Sequence, residues 1–302
     1  MISIEHKTET RRTARAQAVV KAAPATIQRL KRNDLPKKDV LIVARTAGMM
    51  AAKKTPELLP DCHPLHLEAV EVLLEARKDR IHIESRVALT AKTGAEMEAL
   101  TAVTVAALTV YDMLKPIDKN MEVTGIKLLE KTGGKSDRSF KIPPGFKAAV
   151  LVVSDRVSKG LYKDASGLKV VERLKSLGVK KISSATVPDD KDSIISALKG
   201  YCDKGVSLVL TTGGTGLSPR DVTVETVKKV IDREIPGIAE TARAYGQRRT
   251  PYSMLSRGIA GQRGQSLIVT LPGSPKAAEE WWNALFPGLL HAFDVMRNQP
   301  GH

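Results

Sequence analysis

Apolar and polar positions follow two different rhythms along this 302-residue chain. Downstream of Pro144, short strand-like runs alternate with segments of helical period. Ala148–Val153, Lys181–Val187, Val206–Leu210 and Ser266–Leu271 read as strands, and Gly167–Leu177, Ser193–Lys204, Val222–Ile231 and Ala277–Asp294 as intervening or closing helices. An apolar run such as Val206–Leu210 suits a strand covered on both faces of a parallel sheet, because neither face meets water. The alternation predicts a doubly wound, Rossmann-like α/β layer with ligands at the carboxyl ends of its strands. Upstream, Met97, Leu100, Thr104, Ala107, Leu108 and Tyr111 recur at helical spacing, which predicts a long packed helix. Gly133-Gly134-Lys135-Ser136 and then Pro143-Pro144-Gly145 interrupt the two periodic regions. The boundary therefore falls within 136–145, and the chain divides into domains 1–141 and 142–302 joined by a short linker.

Composition sharpens this picture in a few places. A hydrophobic content of 42% supports globular cores, and the length suffices for two of them. The net charge of +15 splits into about +6 through Phe140 and about +9 beyond it, so no single basic tail marks a nucleic-acid arm and both halves attract anions. Aromatic content of 4% offers little surface for base stacking, and no helix-turn-helix or zinc-finger spacing is visible. Cys62 and Cys202 fall one in each half, which argues against a disulfide framework and for a reducing, cytoplasmic setting. The start of the chain lacks a basic segment followed by an apolar one, and no apolar run approaches a bilayer's thickness, so neither secretion nor membrane insertion is expected. The adjacent Trp281 and Trp282 read as packing of an amphipathic helix in preference to a stacking surface.

The densest chemistry lies in Thr211–Thr223, T-T-G-G-T-G-L-S-P-R-D-V-T. Gly213, Gly214 and Gly216 at the end of a buried strand allow positive φ and let an anion reach the backbone amides, with a helix N-terminus following. The competing reading is a tight βα turn. Asp221 is either a helix N-cap or a magnesium ligand, and Asp189 beside Asp190 either a helix-starting acidic pair or a second ligand. As a unit these thirteen residues resemble the signature of the molybdopterin adenylyltransferase family. The resemblance extends through Val150–Arg156, Val187-Pro188-Asp189-Asp190, Leu255-Ser256-Arg257 and Leu271–Ala277. It implies binding of molybdopterin and ATP and transfer of AMP to the pterin's terminal phosphate with release of pyrophosphate. It further implies Mg2+ on Asp189 and Asp221, and nucleotide or pterin contacts from Ser154, Asp155, Thr212, Gly213, Gly214, Thr215 and Gly216. Ser256, Arg257, Gly273, Ser274 and Lys276 would hold the second ligand.

In the amino-terminal half, Asp112 and Lys115 lie three apart on one helical face. They are an ordinary salt pair, or a buried lysine beside a carboxylate with its proton affinity tuned for acid-base work. Asp61-Cys62-His63-Pro64-Leu65-His66 offers three possible zinc ligands where a structural site needs four. Lys37 before Asp39-Val40-Leu41, Ala44–Thr55, Cys62-His63-Pro64, Lys92–Thr101, Thr109–Met113 and Leu128–Ser136 together resemble the cyclic pyranopterin monophosphate synthase family. That resemblance implies a ferredoxin-like α+β domain with an antiparallel sheet. It gives Asp112 the role of catalytic aspartate, with Lys115, Lys131 and Lys37 in the same pocket, one of these lysines having a lowered pKa. His63, Met97 and Glu98 match substrate-contacting positions, with Asp61 and Cys62 beside them. Lys38 and Asp61 depart from the usual residues of the family.

On one continuous helix Glu98 and Asp112 would stand roughly 21 Å apart along the axis, so a neighbouring subunit is expected to complete the site. The family implies homo-oligomers, trimers or hexamers, and the shared pathway suggests sulfur-transfer enzymes as partners. Small-molecule pterin and nucleotide substrates are expected, without nucleic acid or membrane. Two alternatives differ from this reading. The second half is a pterin-binding or oligomerising module without adenylyl transfer, or the chain is a basic nucleic-acid-binding protein.

Overall fold

The computed structural model describes residues 1–134 and 141–297. The chain forms two compact units, Met1–Ser139 and Phe140–His302. The expected linker at 136–145 lies partly outside the described residues, as do Lys135 and Ser136 of the amino-terminal motif.

The first unit runs β1 (Thr10–Lys21), α1 (Pro24–Lys31), α2 (Val40–Lys53), α3 (Thr55–Leu58), β2 (Ala69–Ala76), β3 (Arg80–Ala91), α4 (Glu96–Leu114) and β4 (Glu122–Thr132). Its sheet has the order β2-β3-β1-β4, every pair antiparallel, which is the ferredoxin-like α+β arrangement. Strand β1 alternates a buried row of Ala14, Ala16, Ala18 and Val20 with a row open to solvent. The alternation is the period-2 signature of a sheet with one covered face.

Helix α4 covers that face, and here the structure corrects the sequence reading. The buried stripe is Ala99, Ala102, Val103, Ala106, Ala107, Val110, Met113 and Leu114; of the residues read from the pattern Ala107 is buried and Leu100 and Tyr111 pack partly on the core, whereas Met97 and Leu108 are 40% and 55% exposed. Alanine on the helix meets alanine on β1, so the layers approach closely. Gly48 of α2 sits tighter still, since a Cβ there would lie 2.8 Å from the Ala102 carbonyl oxygen. A larger side chain in this seam costs about 1–3 kcal/mol in overpacking. Among the described residues α4 alone is long and apolar enough to cross a membrane by length and composition, contrary to the sequence reading, which found no such run. Half of that window is buried within the unit, as befits a core helix.

The second unit runs β5 (Lys147–Val153), α5 (Asp155–Ser158), α6 (Ser166–Ser176), β6 (Lys181–Val187), α7 (Lys191–Asp203), β7 (Leu208–Thr212), α8 (Thr223–Val230), β8 (Arg233–Glu234), α9 (Pro236–Gln247), β9 (Ala260–Arg263), β10 (Ser266–Leu271), α10 (Pro275–Leu285) and α11 (His291–Met296). The sheet order is β6-β5-β7-β10-β9-β8. The first four strands are parallel, and β9 and β8 add an antiparallel edge. Alternate residues of β5 feed two cores. Ala148, Val150 and Val152 pack with α6, α9 and α10 on one side, and Ala149, Leu151 and Val153 with α7 and α8 on the other. This is the doubly wound α/β layer. The chain leaves β5 toward β6 on one flank and β7 on the other, so a crevice opens at the carboxyl ends of β5 and β7, where such folds place ligands.

Two differences from the sequence reading stand out. The closing helix expected at Ala277–Asp294 breaks after Leu285, because Pro287 cannot donate an amide to continue it, and a short 3-10 turn leads into α11. Strands β8 and β9 and helix α9, none of them read from the pattern, fill Arg233–Arg263. Trp281 and Trp282 are buried on α10, and Trp282 stacks on Phe286 at 3.8 Å between ring centroids.

Candidate functional site

In the carboxy-terminal unit, four loops meet beyond the strand ends. After β7, Gly213 and Gly214 adopt φ values of +96° and +64°. Each is held at close quarters. A Cβ on Gly213 would lie 2.2 Å from the Val153 carbonyl oxygen, and one on Gly214 would lie 2.1 Å from Thr223 Oγ1 and 3.4 Å from Asp189 Oδ1. Only glycine serves here, because both the dihedral and the space exclude a side chain. After β10, Gly273 approaches Gly213 itself, with its hypothetical Cβ 3.2 Å from the Gly213 Cα.

The carboxylates at this end are tied together. Asp155 accepts the Asp189 amide at 3.1 Å while Asp189 accepts the Asp155 amide at 2.9 Å, so the loops after β5 and β6 lock reciprocally. Burial pushes the Asp189 carboxyl up, and the negative charges of Asp155 and Asp221 push in the same direction. Asp221 does not cap α8. Its carboxylate accepts the Ser218 amide at 2.8 Å and so closes the preceding turn. Asp190 is the N-cap of α7, accepting from Ser193 N at 2.9 Å, which leaves Asp189 as the inward member of the acidic pair. Among the described residues no group of three or more His, Cys, Asp or Glu is gathered for a metal ion.

Next to these carboxylates opens a cavity of about 480 Å3, lined by Gly214, Thr215, Gly216, Asp221, Ser256, Gly273, Ser274 and Lys276 as expected from the sequence. Thr250, Tyr252, Ser253, Glu280 and Trp281 also line it and were not singled out as contacts. They come from the irregular 250–255 segment and from α10, and neither carries a local motif. Several residues expected at the site bond within the protein. Ser154 Oγ accepts the Val157 amide, Ser274 Oγ caps α10 by accepting the Ala277 amide, and the buried Thr212 hydroxyl receives Ser166 Oγ–H at 3.4 Å. Arg257 lines a second hollow of about 330 Å3 beside Lys191, Ser218 and Glu225.

The amino-terminal unit holds a different constellation. Asn33 and Asp39 exchange two hydrogen bonds, and both adopt positive φ, closing the loop that carries Lys37. Lys37 Nζ then lies 2.7 Å from Asp112 Oδ2, and Lys115 Nζ 2.7 Å from Asp112 Oδ1. The Lys115 hydrogen bond, then that of Lys37, and the two positive charges lower the Asp112 carboxyl to about 2. The same hydrogen bond and charge raise the Lys115 pKa. Lys115 is therefore not the buried lysine of lowered proton affinity that the spacing allowed; its side chain is 56% exposed.

Lys131 does not join this triplet within one chain. It pairs with Glu96 at 3.3 Å, at the opposite end of α4. Glu98 lies there as well, buried, with its carboxyl pushed up by desolvation and by Glu96. Cys62 is close enough to feel the Glu98 charge, which together with burial raises its thiol. Asp61 faces solvent and pairs with the amino terminus at 2.9 Å. Glu96 was missed, because nothing in the sequence links it to a lysine thirty-five residues away.

Residues 1–134 match the family model described as the MoaC family, and residues 149–291 the model described as a probable molybdopterin binding domain. A molybdenum cofactor biosynthesis bifunctional protein of Chlorobaculum tepidum is 39% identical over 302 residues, covering 100% of this chain and 96% of that protein. The chain belongs to the bifunctional molybdenum cofactor biosynthesis proteins. A second member of that family, from Synechococcus elongatus, is 38% identical, with 98% of this chain and 97% of that protein covered. The amino-terminal part alone is 53% identical over 138 residues to a cyclic pyranopterin monophosphate synthase of Heliobacterium modesticaldum, covering 45% of this chain and 87% of that protein. Among solved structures, the molybdopterin biosynthesis enzyme MoaB of Thermus thermophilus is 42% identical with a TM-score of 0.49, covering 51% of this chain and 98% of that one.

Proposed function

We propose that the protein carries out two separate steps of molybdenum cofactor synthesis, one in each domain, with the domains bounded at 1–141 and 142–302. The first converts (8S)-3',8-cyclo-7,8-dihydroguanosine 5'-triphosphate to cyclic pyranopterin monophosphate and pyrophosphate. The second adenylylates molybdopterin with ATP and releases pyrophosphate. The observation that carries the reading is the pairing of a lysine-flanked carboxylate, Lys37–Asp112–Lys115, with a glycine-lined crevice at Gly213–Gly216, each suited to phosphate.

In the first domain, Asp112 holds two ammonium groups in fixed positions and keeps Lys115 charged. Charged lysines offset the triphosphate and stabilise departing pyrophosphate, and Lys115 can hand on a proton as charge develops on oxygen. Glu98, His63 and Met97 would contact the purine-derived ring from the other end of α4. Lys131 belongs with that end. Since about 21 Å of helix separates Glu98 from Asp112, a second copy would supply one end to the other's site, within a homo-oligomer, a trimer or hexamer.

In the second domain, the Gly213 amide donates to the Leu271 carbonyl and braces the loop, and the amides of Gly214–Gly216 with the N-terminus of α8 would face the anion. Two carboxylates face the glycine loop, since a Cβ on Gly214 would lie 3.4 Å from Asp189 Oδ1 and one on Gly216 3.0 Å from Asp221 Oδ2, and hard oxygen donors of this kind suit a divalent cation whose remaining positions phosphate and water would fill. Asp189 and Asp221 would hold Mg2+, which when bound supplies charge neutralisation between nucleotide and pterin phosphates. Lys276 lines the 480 Å3 cavity and adds a positive charge that would offset the phosphates. A sulfur-insertion step would lie between the two reactions, so direct handover of product does not follow, and fusion would fix stoichiometry or recruit a sulfur-transfer partner.

The test assays the full chain with each substrate separately. Both reactions should release pyrophosphate. Turnover of the cyclised nucleotide with no ATP-dependent release from molybdopterin would reduce the second domain to a binding module.

A further inference from the structure

Arg257 sits where a ligand-binding arginine is expected, yet each of its three guanidinium nitrogens donates within the protein. Its Nε–H donates to the Gly216 carbonyl at 2.7 Å, one terminal nitrogen donates to the Asp221 carbonyl at 2.6 Å, and the other pairs with Glu225 of α8. Its own amide donates to the Thr215 carbonyl at 3.0 Å. These four bonds take in both ends of the 215–221 loop and the first turn of α8. The backbone carrying Arg257 is itself braced. Arg243 of α9 donates to the carbonyls on either side, Gly258 at 2.8 Å and Ser256 at 3.4 Å. Gly258 packs directly against Trp281 and Thr270, since a Cβ there would lie 2.5 Å from the Trp281 ring and 2.9 Å from the Thr270 carbonyl oxygen.

We propose that Arg257, braced by Arg243, is a positioning residue that fixes the glycine loop and Asp221, and that it does not itself bind nucleotide or pterin. A planar guanidinium suits this task because it presents several donors in a rigid fork, which an ammonium does not. The same fork pairs with Glu225, which lines the second hollow beside Arg257, outside the 480 Å3 cavity, and ties the first turn of α8 to the loop. The inference rests on the proposed nucleotide site, and it assigns the loop's shape to a helix, α9, that contributes no ligand contact of its own.

Hydrogen exchange and ATP binding on the full chain test it together. In the unliganded protein the Ser218 and Asp221 amides bond across the turn to Asp221 Oδ2 and the Ser218 carbonyl, and so report its closure. Arg257→Met should speed their exchange and weaken ATP binding by about tenfold, the scale of one lost charge-assisted hydrogen bond. Arg257→Lys should restore little of either. Glu225→Gln loosens the same fork and should weaken ATP binding in the same direction, by a smaller factor. If Arg257 contacted the ligand, Glu225→Gln would free the guanidinium and ATP affinity would rise or stay unchanged, which overturns the proposal. Unchanged amide exchange in Arg257→Met also overturns it. A protein that binds no ATP, yet loses amide protection in Arg257→Met, would reject the nucleotide site and keep the positioning role.

Discussion

The two candidate sites are built on opposite plans. The carboxy-terminal one is assembled within a single unit: four loops converge at the strand ends, Gly213 and Gly214 admit no side chain, and its central carboxyl is partly buried and raised. The amino-terminal one is exposed, its carboxylate is lowered to about 2 by two lysines, and its residues are divided between the two ends of one helix. The contrast teaches that a preorganised crevice spends stability on holding like charges together. On the proposed reading, a site split along a rigid helix would gather its charges only with a second copy.

The sharpest way to break the comparison is to remove each centre in turn. Asp112→Asn should lower pyranopterin synthesis by roughly 100-fold or more, as loss of an acid-base partner does, and leave ATP-dependent pyrophosphate release unchanged. Asp189→Asn should do the reverse, by a similar factor in adenylyl transfer. Cross-effects between the two would argue against separate sites.

A smaller effect is expected from Gly214→Ala. The added Cβ meets Thr223 Oγ1 at 2.1 Å with φ at +64°, so the second unit should lose about 1–3 kcal/mol in urea unfolding. An unaltered midpoint would mean that the loop is not held as described.

The smallest effect separates the two plans by pH. Glu98 is buried with a raised pKa, so its ionised form opposes folding at neutral pH, and the native state gains stability as pH falls through the raised folded value toward the unfolded one. Glu98→Gln should therefore raise the first unit's melting temperature at pH 7.5. The gain should fade toward pH 4.5. Asp112 has the opposite sign: its lowered pKa contributes stability present above the unfolded value near 4 and lost only as pH falls toward about 2. A pH-independent gain in Glu98→Gln would contradict the burial argument.

Much of this was legible in the sequence where pattern and chemistry coincide. The runs at Ala148–Val153 and Ser266–Leu271 are apolar on both faces, so they announced central strands, and Gly213 and Gly214 stand where only glycine is possible. The buried face of α4 was not legible. That helix is apolar all round, and alanine carries too little hydrophobic contrast to show which stripe faces the sheet; the close approach of β1 and Gly48 decides it. The break at Pro287 was written in the chain but masked by the apolar residues around it. Arg257–Glu225 and Lys131–Glu96 were illegible for another reason, since each pairs residues more than thirty positions apart through tertiary structure alone.

On this proposal one site is whole in each chain and the other is shared between two copies. Mixing refolded Asp112→Ala and Lys131→Ala full chains tests it most directly, since each is expected to be inactive alone in pyranopterin synthesis. Mixed oligomers should recover activity toward roughly a quarter of the wild-type level, the share of sites that draw an intact end from each partner. No recovery in verified mixed oligomers would contradict the claim and return both ends of α4 to separate roles within one chain.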